Sequence, residues 1–285
     1  MNRLIINNLK FSYRKNTVLS NFNIEIPEGI NLLLGVNGSG KSTLFKILSC
    51  VLVKKEGKIY LNDLDYDLSN IRKNIAYIPQ SFDVFPALKV KEFLTYVGEV
   101  KYKFRGSQLK EEVDKAIEMT GIADFASKKM KALSGGMKQR VGIAQALIGE
   151  PILILADEPT AGLDPEQRSR FNEILARVVA DKIILISTHL IEEITSHNHI
   201  IIISDGKLKF DGTRDALIDS AKNKFYTIKI SLNDYEGLAA KHTIISETFE
   251  GDTVVCKIIV EDDTQRIGVM NAVKPSLSDL WTYYR

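Results

Sequence analysis

The sequence predicts an α/β fold built on a mostly parallel core sheet. Two observations lead there. Short apolar runs, NLLLG (31–35), ILILAD (152–157) and KIILIST (182–188), are separated by stretches of helical period. These runs lack polar alternation, which fits strands covered on both faces.

The elements follow in order. LIINNLKFSY and VLSNFNIEIP alternate apolar and polar residues and predict half-buried strands, and GKIYLND predicts another. An antiparallel β subdomain is expected in addition to the core sheet. NLLLG breaks at Gly35, and TLFKILSCVL has helical spacing. IAYI (75–78) predicts a short strand ending at Pro79 and Gln80. From about 88 to 147 the spacing is helical throughout, which predicts a helical insert. EQRSRFNEILARVVA predicts the helix between ILILAD and KIILIST. Beyond GKLKFDG (206–212) the pattern changes. FYTIKISL, HTIISETFE and TVVCKIIV predict strands, TQRIGVMNAV a short helix, and PSLSDLWTYYR closes the chain. The boundary is placed near 220, giving a first domain of 1–220 and a small α+β C-terminal domain of 221–285.

Composition bounds the function. The 285 residues carry 38 Lys and Arg against 36 Asp and Glu, a net charge of +2. That balance gives no electrostatic case for a nucleic-acid partner. No apolar run approaches the roughly 20 residues that cross a bilayer, and the amino terminus lacks a signal-peptide pattern. The expected location is therefore cytoplasmic. Cys50 and Cys256 form no CxxC motif and read as reduced packing residues.

Four features carry chemistry. Residues 35–43 read GVNGSGKST, with Gly35, Gly40, Lys41 and Ser42 at the spacing of a phosphate loop between strand and helix. Glycines let backbone N–H groups turn onto phosphate oxygens, and the helix start adds its positive end. Lys41 reaches the β- and γ-phosphates and Ser42 ligates magnesium; Asn37, Gly38, Ser39 and Thr43 complete the cradle. ILILAD ends in Asp157 and Glu158. A strand-end Asp also fits ordinary turn chemistry, but beside a phosphate loop the pair reads as a magnesium ligand and a base for water. Ser134, Gly135 and Gly136 open a helix, as an N-cap with close backbone approach or as a plain flexible start. His189 and Gln80 each follow an apolar strand, and taken alone each reads first as an ordinary loop residue. In a parallel sheet all four strand ends, at Gly35, Gln80, Asp157 and His189, share one edge. There they assemble the parts for phosphoryl transfer. The bound species read from this set are ATP and Mg2+.

These motifs resemble those of the ATP-binding subunit of ABC transporters, a P-loop NTPase of ABC type, from about residue 3 to 215. LSGGMKQR (133–140) is similar to the family's signature segment, and ILILADEP, AGLD (161–164) and His189 follow in the family's order. The resemblance implies that Tyr13 stacks on adenine and that Gln80 senses magnesium and couples to the membrane partner. It further implies that Ser134, Gly135 and Gly136 contact the γ-phosphate held by an opposite subunit, that Asp164 helps close that composite site, and that His189 contacts the γ-phosphate. The implied partners are a second ATP-binding subunit, expected to be identical, and a separate multi-span permease. The implied place is the cytoplasmic side of the cell membrane. Phe82, Val84 and Phe85 fall near the expected permease contact, or in the insert's own core. Met137 departs from the common LSGGQ pattern. LSGGMKQR, the segment 81–97 and the ending KPSLSDLW resemble the drug and lantibiotic exporter group, so export is expected. An importer subunit, a soluble ABC-type ATPase and a non-hydrolysing regulator stay open as alternatives.

Overall fold

The computed structural model describes residues 1–80, 85–194, 199–261 and 270–285. Phe82 and Val84 lie outside the described residues, as does most of TQRIGVMNAV. The chain divides into two units, Met1–Leu190 with His197–Asp211, and Ile191–Ser196 with Gly212–Arg285.

The first unit opens with an antiparallel sheet. Strand β1 (Arg3–Tyr13) pairs with β2 (Asn16–Pro27) and with β4 (Glu56–Leu61), and β4 pairs with β5 (Leu64–Asp65). Alternation sends Leu4 and Ile6 of β1 inward, and a register shift before Leu9 brings that residue inward too; all three are fully buried. The central sheet holds β3 (Gly29–Leu34), β6 (Ile75–Ile78), β7 (Leu153–Asp157), β8 (Ile183–Thr188), β9 (His199–Ser204) and β10 (Lys207–Thr213), in the order β10-β9-β3-β8-β7-β6. Pairings from β6 through β9 are parallel. Residues 153–156 and all of β8 are buried, as strands covered on both faces must be.

Helix α1 (Lys41–Leu48) binds the two sheets into one core. Its Leu44, Phe45, Ile47 and Leu48 share a buried cluster with Leu4, Phe22 and Ile26 of the antiparallel sheet and Leu33, Leu155 and Leu185 of the central one. The short α2 (Leu68–Ile71) leads into β6. The helical insert has its own core. Helices α3 (Val90–Val97), α4 (Gly106–Thr120) and α5 (Gly135–Leu147) bury Phe93, Leu94, Val113, Ile117, Val141 and Ala144 together. A π-helical turn, Gly98–Tyr102, follows α3. Phe85 is half-exposed and its ring meets Tyr96 edge-on at 5.3 Å. Helix α6 (Pro165–Val178) joins β7 to β8 and is capped by Asp164.

In the second unit, α7 (Arg214–Ser220) precedes a four-stranded antiparallel sheet. Its strands β11 (Phe225–Ser231), β12 (Thr243–Glu250), β13 (Thr253–Ile259) and β14 (Asn271–Ala272) take the order β12-β13-β11-β14. Helix α8 (Tyr235–Ala239) buries Leu238 in the core with Val254, Cys256 and Ile258. The end of TQRIGVMNAV is a correction: Asn271 and Ala272 pair with Thr227 and Tyr226 as a strand rather than a helix. Helix α9 (Leu277–Tyr284) starts with a capping box between Ser276 and Asp279, and Lys257 meets Asp279 at 3.0 Å. Both cysteines are free, Cys256 buried and Cys50 half-buried.

Lys101 fastens the insert to strand β6: its Nζ donates to Ile75 O at 2.5 Å and lies 4.7 Å from the Tyr102 ring. Burial, with a contribution from Arg72, lowers its pKa from 10.5 to about 8. Between those values the unfolded chain holds a proton that the folded chain has released, so this group adds stability as pH rises through that window. Urea unfolding at pH 7.5 and pH 10 should show Lys101→Met lacking about 1–2 kcal/mol of the wild-type gain with pH. An identical pH dependence in the two proteins would contradict this.

Candidate functional site

The loop after β3 is built to hold an anion. Strand β3 is buried to its last residue, Leu34, and Gly35 then passes under β9. A Cβ on Gly35 would stand 2.7 Å from Ile203 O and 2.9 Å from Ile203 Cγ2, so only glycine fits. Gly38 and Gly40 turn the chain through positive φ, 85° and 110°. Helix α1 starts with no side-chain cap and no acid in its first turn. Its ladder begins with Leu44 N donating to Gly40 O at 2.9 Å, which leaves the preceding N–H groups outside the ladder. Among the described residues, the buried Ser39 hydroxyl has no partner. An uncapped helix start, a left-handed glycine turn and an orphaned hydroxyl together fit a polyphosphate.

Lys41 is only 5% exposed, and its Nζ donates to Gly35 O at 2.6 Å and Val36 O at 3.2 Å. Burial lowers its pKa, against the raising effect of Glu158 and then Asp157. Both carboxylates therefore lie within electrostatic reach of the ammonium.

Parallel register delivers those carboxylates. Asp157 stands opposite Ser187, Ile78 opposite Ala156, and Leu34 opposite Thr188. Asp157 Oδ1 accepts from Ser187 Oγ at 2.6 Å and Oδ2 from Tyr77 Oη at 3.3 Å. Burial, then the charge of Asp157 and the hydrogen bond to it, push the Tyr77 phenol up to about 12, so it stays a donor. Glu158 takes a left-handed backbone, φ 44°, an unfavourable conformation for a side-chain-bearing residue. Its N–H is held by Ser187 O at 3.1 Å and Ser187 Oγ at 2.9 Å. Glu158 Oε2 accepts from Gln80 Nε2 at 3.2 Å, and His189 Nδ1 lies 3.4 Å from Oε1. Lys41, Gln80, Asp157, Glu158 and His189 are thus brought together at one sheet edge.

Ser134, Gly135, Gly136 and Asp164 form a second group. Ser134 Oγ caps α5 by accepting from Met137 N at 3.3 Å, and Asp164 Oδ1 caps α6 by accepting from Gln167 N at 2.8 Å. A Cβ on Gly136 would meet Gln167 Oε1 at 2.8 Å, so the two helix starts lie side by side. The Met137 cap bond uses its backbone, and its side chain packs on the insert core. Gln139, not residue 137, reaches the first group: it is buried and donates to Gln80 O at 3.4 Å. Tyr13 ends β1 half-exposed, its ring edge-on to Phe11 at 5.1 Å.

Sequence reasoning missed Tyr77, Ser187 and Gln145, whose Nε2 donates to Tyr77 O at 2.9 Å. Ser187 was within reach: once 152–157 and 182–188 are read as parallel neighbours, aligning their ends sets a hydroxyl beside Asp157. Tyr77 and Gln145 carry no such signal, because their partners lie 80 and 68 residues away.

Comparison with known proteins agrees with this geometry. The family model "ABC transporter" matches residues 19–161. The phosphonates import ATP-binding protein PhnC 2 of Oceanobacillus iheyensis is 34% identical over 79% of this chain and 96% of its own length. The chain belongs to the ABC transporter family. Its ATP-binding domain is the ATPase of that family, which couples ATP hydrolysis to transport. ABC transporter A family member 11 of Dictyostelium discoideum is 34% identical over 78% of this chain, and the match spans 27% of that longer protein. Among solved structures, cbiO1 from Clostridium perfringens, part of the ABC transporter complex cbiONQ, is similar with a TM-score of 0.67 and 28% identity. That match covers 76% of this chain and 93% of the other. The ABC fold, with its parallel core, antiparallel sheet and helical insert, is thereby shown.

Gly35→Ala should destabilise the protein by about 1–3 kcal/mol, because its methyl meets the Ile203 backbone oxygen as well as the Ser39 hydroxyl and the Ile203 side chain. A melting temperature within 1 °C of wild type (~1 °C being well below the shift such a loss produces) would contradict the assigned close approach.

Proposed function

We propose that the chain is the ATP-hydrolysing subunit of a transporter whose pore is a separate multi-span membrane polypeptide. Two copies sandwich two nucleotides, and the assembly works as an exporter from the cytoplasmic side of the membrane. No nucleic acid takes part. The observation that carries the hydrolytic reading is Glu158, held between Gln80 and His189 and within electrostatic reach of the buried Lys41.

The roles follow from chemistry. Gly35, Asn37, Gly38, Ser39, Gly40, Lys41, Ser42 and Thr43 cradle the phosphates. Lys41 exchanges its two carbonyl partners for β- and γ-phosphate oxygens, a stronger charge-assisted contact. Ser42, Asp157 and Gln80 would hold Mg2+, which would neutralise charge on the phosphates. Glu158 orients the attacking water and accepts its proton, and His189 donates toward the γ-phosphate. Tyr13 offers an exposed ring for adenine. Ser134, Gly135 and Gly136, with Asp164, complete the site of a second copy. Capping both helix starts is compatible with that, since backbone N–H groups remain at each.

Direction rests on LSGGMKQR and the ending KPSLSDLW. The second reading, an importer subunit, is favoured by the import function in the name of the relative that matches over nearly its whole length. Co-purification from native membranes followed by identification of the bound protein separates either from a soluble ATPase. A multi-span partner is expected; ribosomal proteins or DNA would contradict transport.

Glu158→Gln should bind ATP, hydrolyse it at least about 100-fold more slowly, and accumulate as a dimer with ATP in size-exclusion chromatography. Turnover at the wild-type rate would remove Glu158 from the base role. Lys41→Ala should lower ATP affinity by about 10–100-fold; unchanged affinity in titration calorimetry would contradict the cradle.

A further inference from the structure

Asp157 is gripped from both neighbouring strands. β7 lies between β6 and β8. From β8, Ser187 donates to Oδ1 at 2.6 Å; from β6, Tyr77 donates to Oδ2 at 3.3 Å. A carboxylate offers about four acceptor positions. One donor per oxygen stops rotation of the carboxylate and leaves each oxygen a free lone pair. The direction of the Ser187 bond is also set. Its oxygen accepts the Glu158 N–H at 2.9 Å, so its single proton is committed to Asp157. One hydroxyl therefore holds the orientation of both acidic residues.

Tyr77 is itself held in place. Its carbonyl accepts from Gln145 Nε2 of α5 at 2.9 Å, and the carbonyl two residues earlier, Ile75 O, accepts from Lys101. Strand β6 ends the sheet, so these side chains of the insert take up carbonyls that no strand claims. The insert thus reaches Asp157 by a route separate from Gln80, through the body of β6.

We propose that Tyr77 and Ser187 are positioning residues for Asp157. They fix its carboxylate in the attitude that a divalent cation bound with nucleotide requires, and Gln145 holds Tyr77 there from the helical insert. The proposal rests on the reading of Asp157 as a magnesium ligand. Groups that orient a metal ligand contribute about 10-fold or more to metal affinity, so the effect belongs in magnesium-dependent binding rather than in nucleotide binding as such.

The test measures ATP affinity by titration calorimetry in the hydrolysis-deficient Glu158→Gln background, once with magnesium and once with EDTA. Tyr77→Phe and Ser187→Ala should each cut the magnesium-dependent gain in affinity by about 10-fold, with affinity in EDTA unchanged. Ser187→Thr, which keeps the hydroxyl, should retain the gain, and Gln145→Leu should lose part of it. With Glu158 intact, Tyr77→Phe should raise the magnesium concentration for half-maximal turnover more than it lowers kcat. Should both variants keep the full gain while Asp157→Asn loses it, the positioning roles are overturned and the magnesium reading stands. An Asp157→Asn protein that keeps the gain would remove the magnesium reading and this proposal with it. An equal loss with and without magnesium would mark the hydroxyls as structural and also overturn it. Tyr77→Phe preserves the ring and its packing, so it decides the matter alone if Ser187→Ala does not fold.

Discussion

The site depends on one constraint, the parallel register of four strands. With Leu34 opposite Thr188, Asp157 opposite Ser187 and Ile78 opposite Ala156, strands β3, β8, β7 and β6 end at a common edge. Everything polar that follows those strands must then emerge there. A slip of β7 by one residue would carry Asp157 to the opposite face of the sheet. It would also part Ser187 Oγ from both acids. Residues 153–156 and 183–186 are buried and apolar on both faces, so it is the polar strand ends, Asp157 beside Ser187, that distinguish this register.

The same edge gathers three features that cost stability. Lys41 is buried on carbonyl oxygens, Ser39 keeps a buried hydroxyl with no partner among the described residues, and Glu158 holds a left-handed backbone. Each is unfavourable in isolation. Their concentration within one loop and one strand end contrasts with the apolar interior formed by α1 and the two sheets. The large shared core offsets them.

The fold was legible where local pattern decides it. Uninterrupted apolar runs marked β3, β7 and β8, alternation marked β1 and β2, and helical spacing marked the insert. It was not legible where tertiary contact overrides pattern. Asn271 and Ala272 belong to a helical-looking segment, yet their backbone completes the edge beside β11. The motif residues could be picked out because their spacing is local: 35–43 is a single loop, and Asp157 and Glu158 are adjacent. The supporting groups were not. Tyr77 matters through an oxygen that reaches Asp157, and Gln145 through a backbone carbonyl on another element. Gln139 likewise shows its importance only in its contact with Gln80 O. Met137, conspicuous as a departure in sequence, leaves the α5 cap intact because that cap uses its N–H.

The central claim is that one sheet edge, completed by Ser134, Gly135 and Gly136 of a second copy, forms a single phosphoryl-transfer site. A crystal structure of the hydrolysis-arrested protein with ATP and magnesium tests it most directly. The account predicts phosphates on the backbone of residues 38–43, magnesium against Ser42 and Asp157, and the Ser134 segment of a second copy at the γ-phosphate. Nucleotide bound away from that loop, or a fully bound nucleotide with no contribution from a second copy, would contradict it.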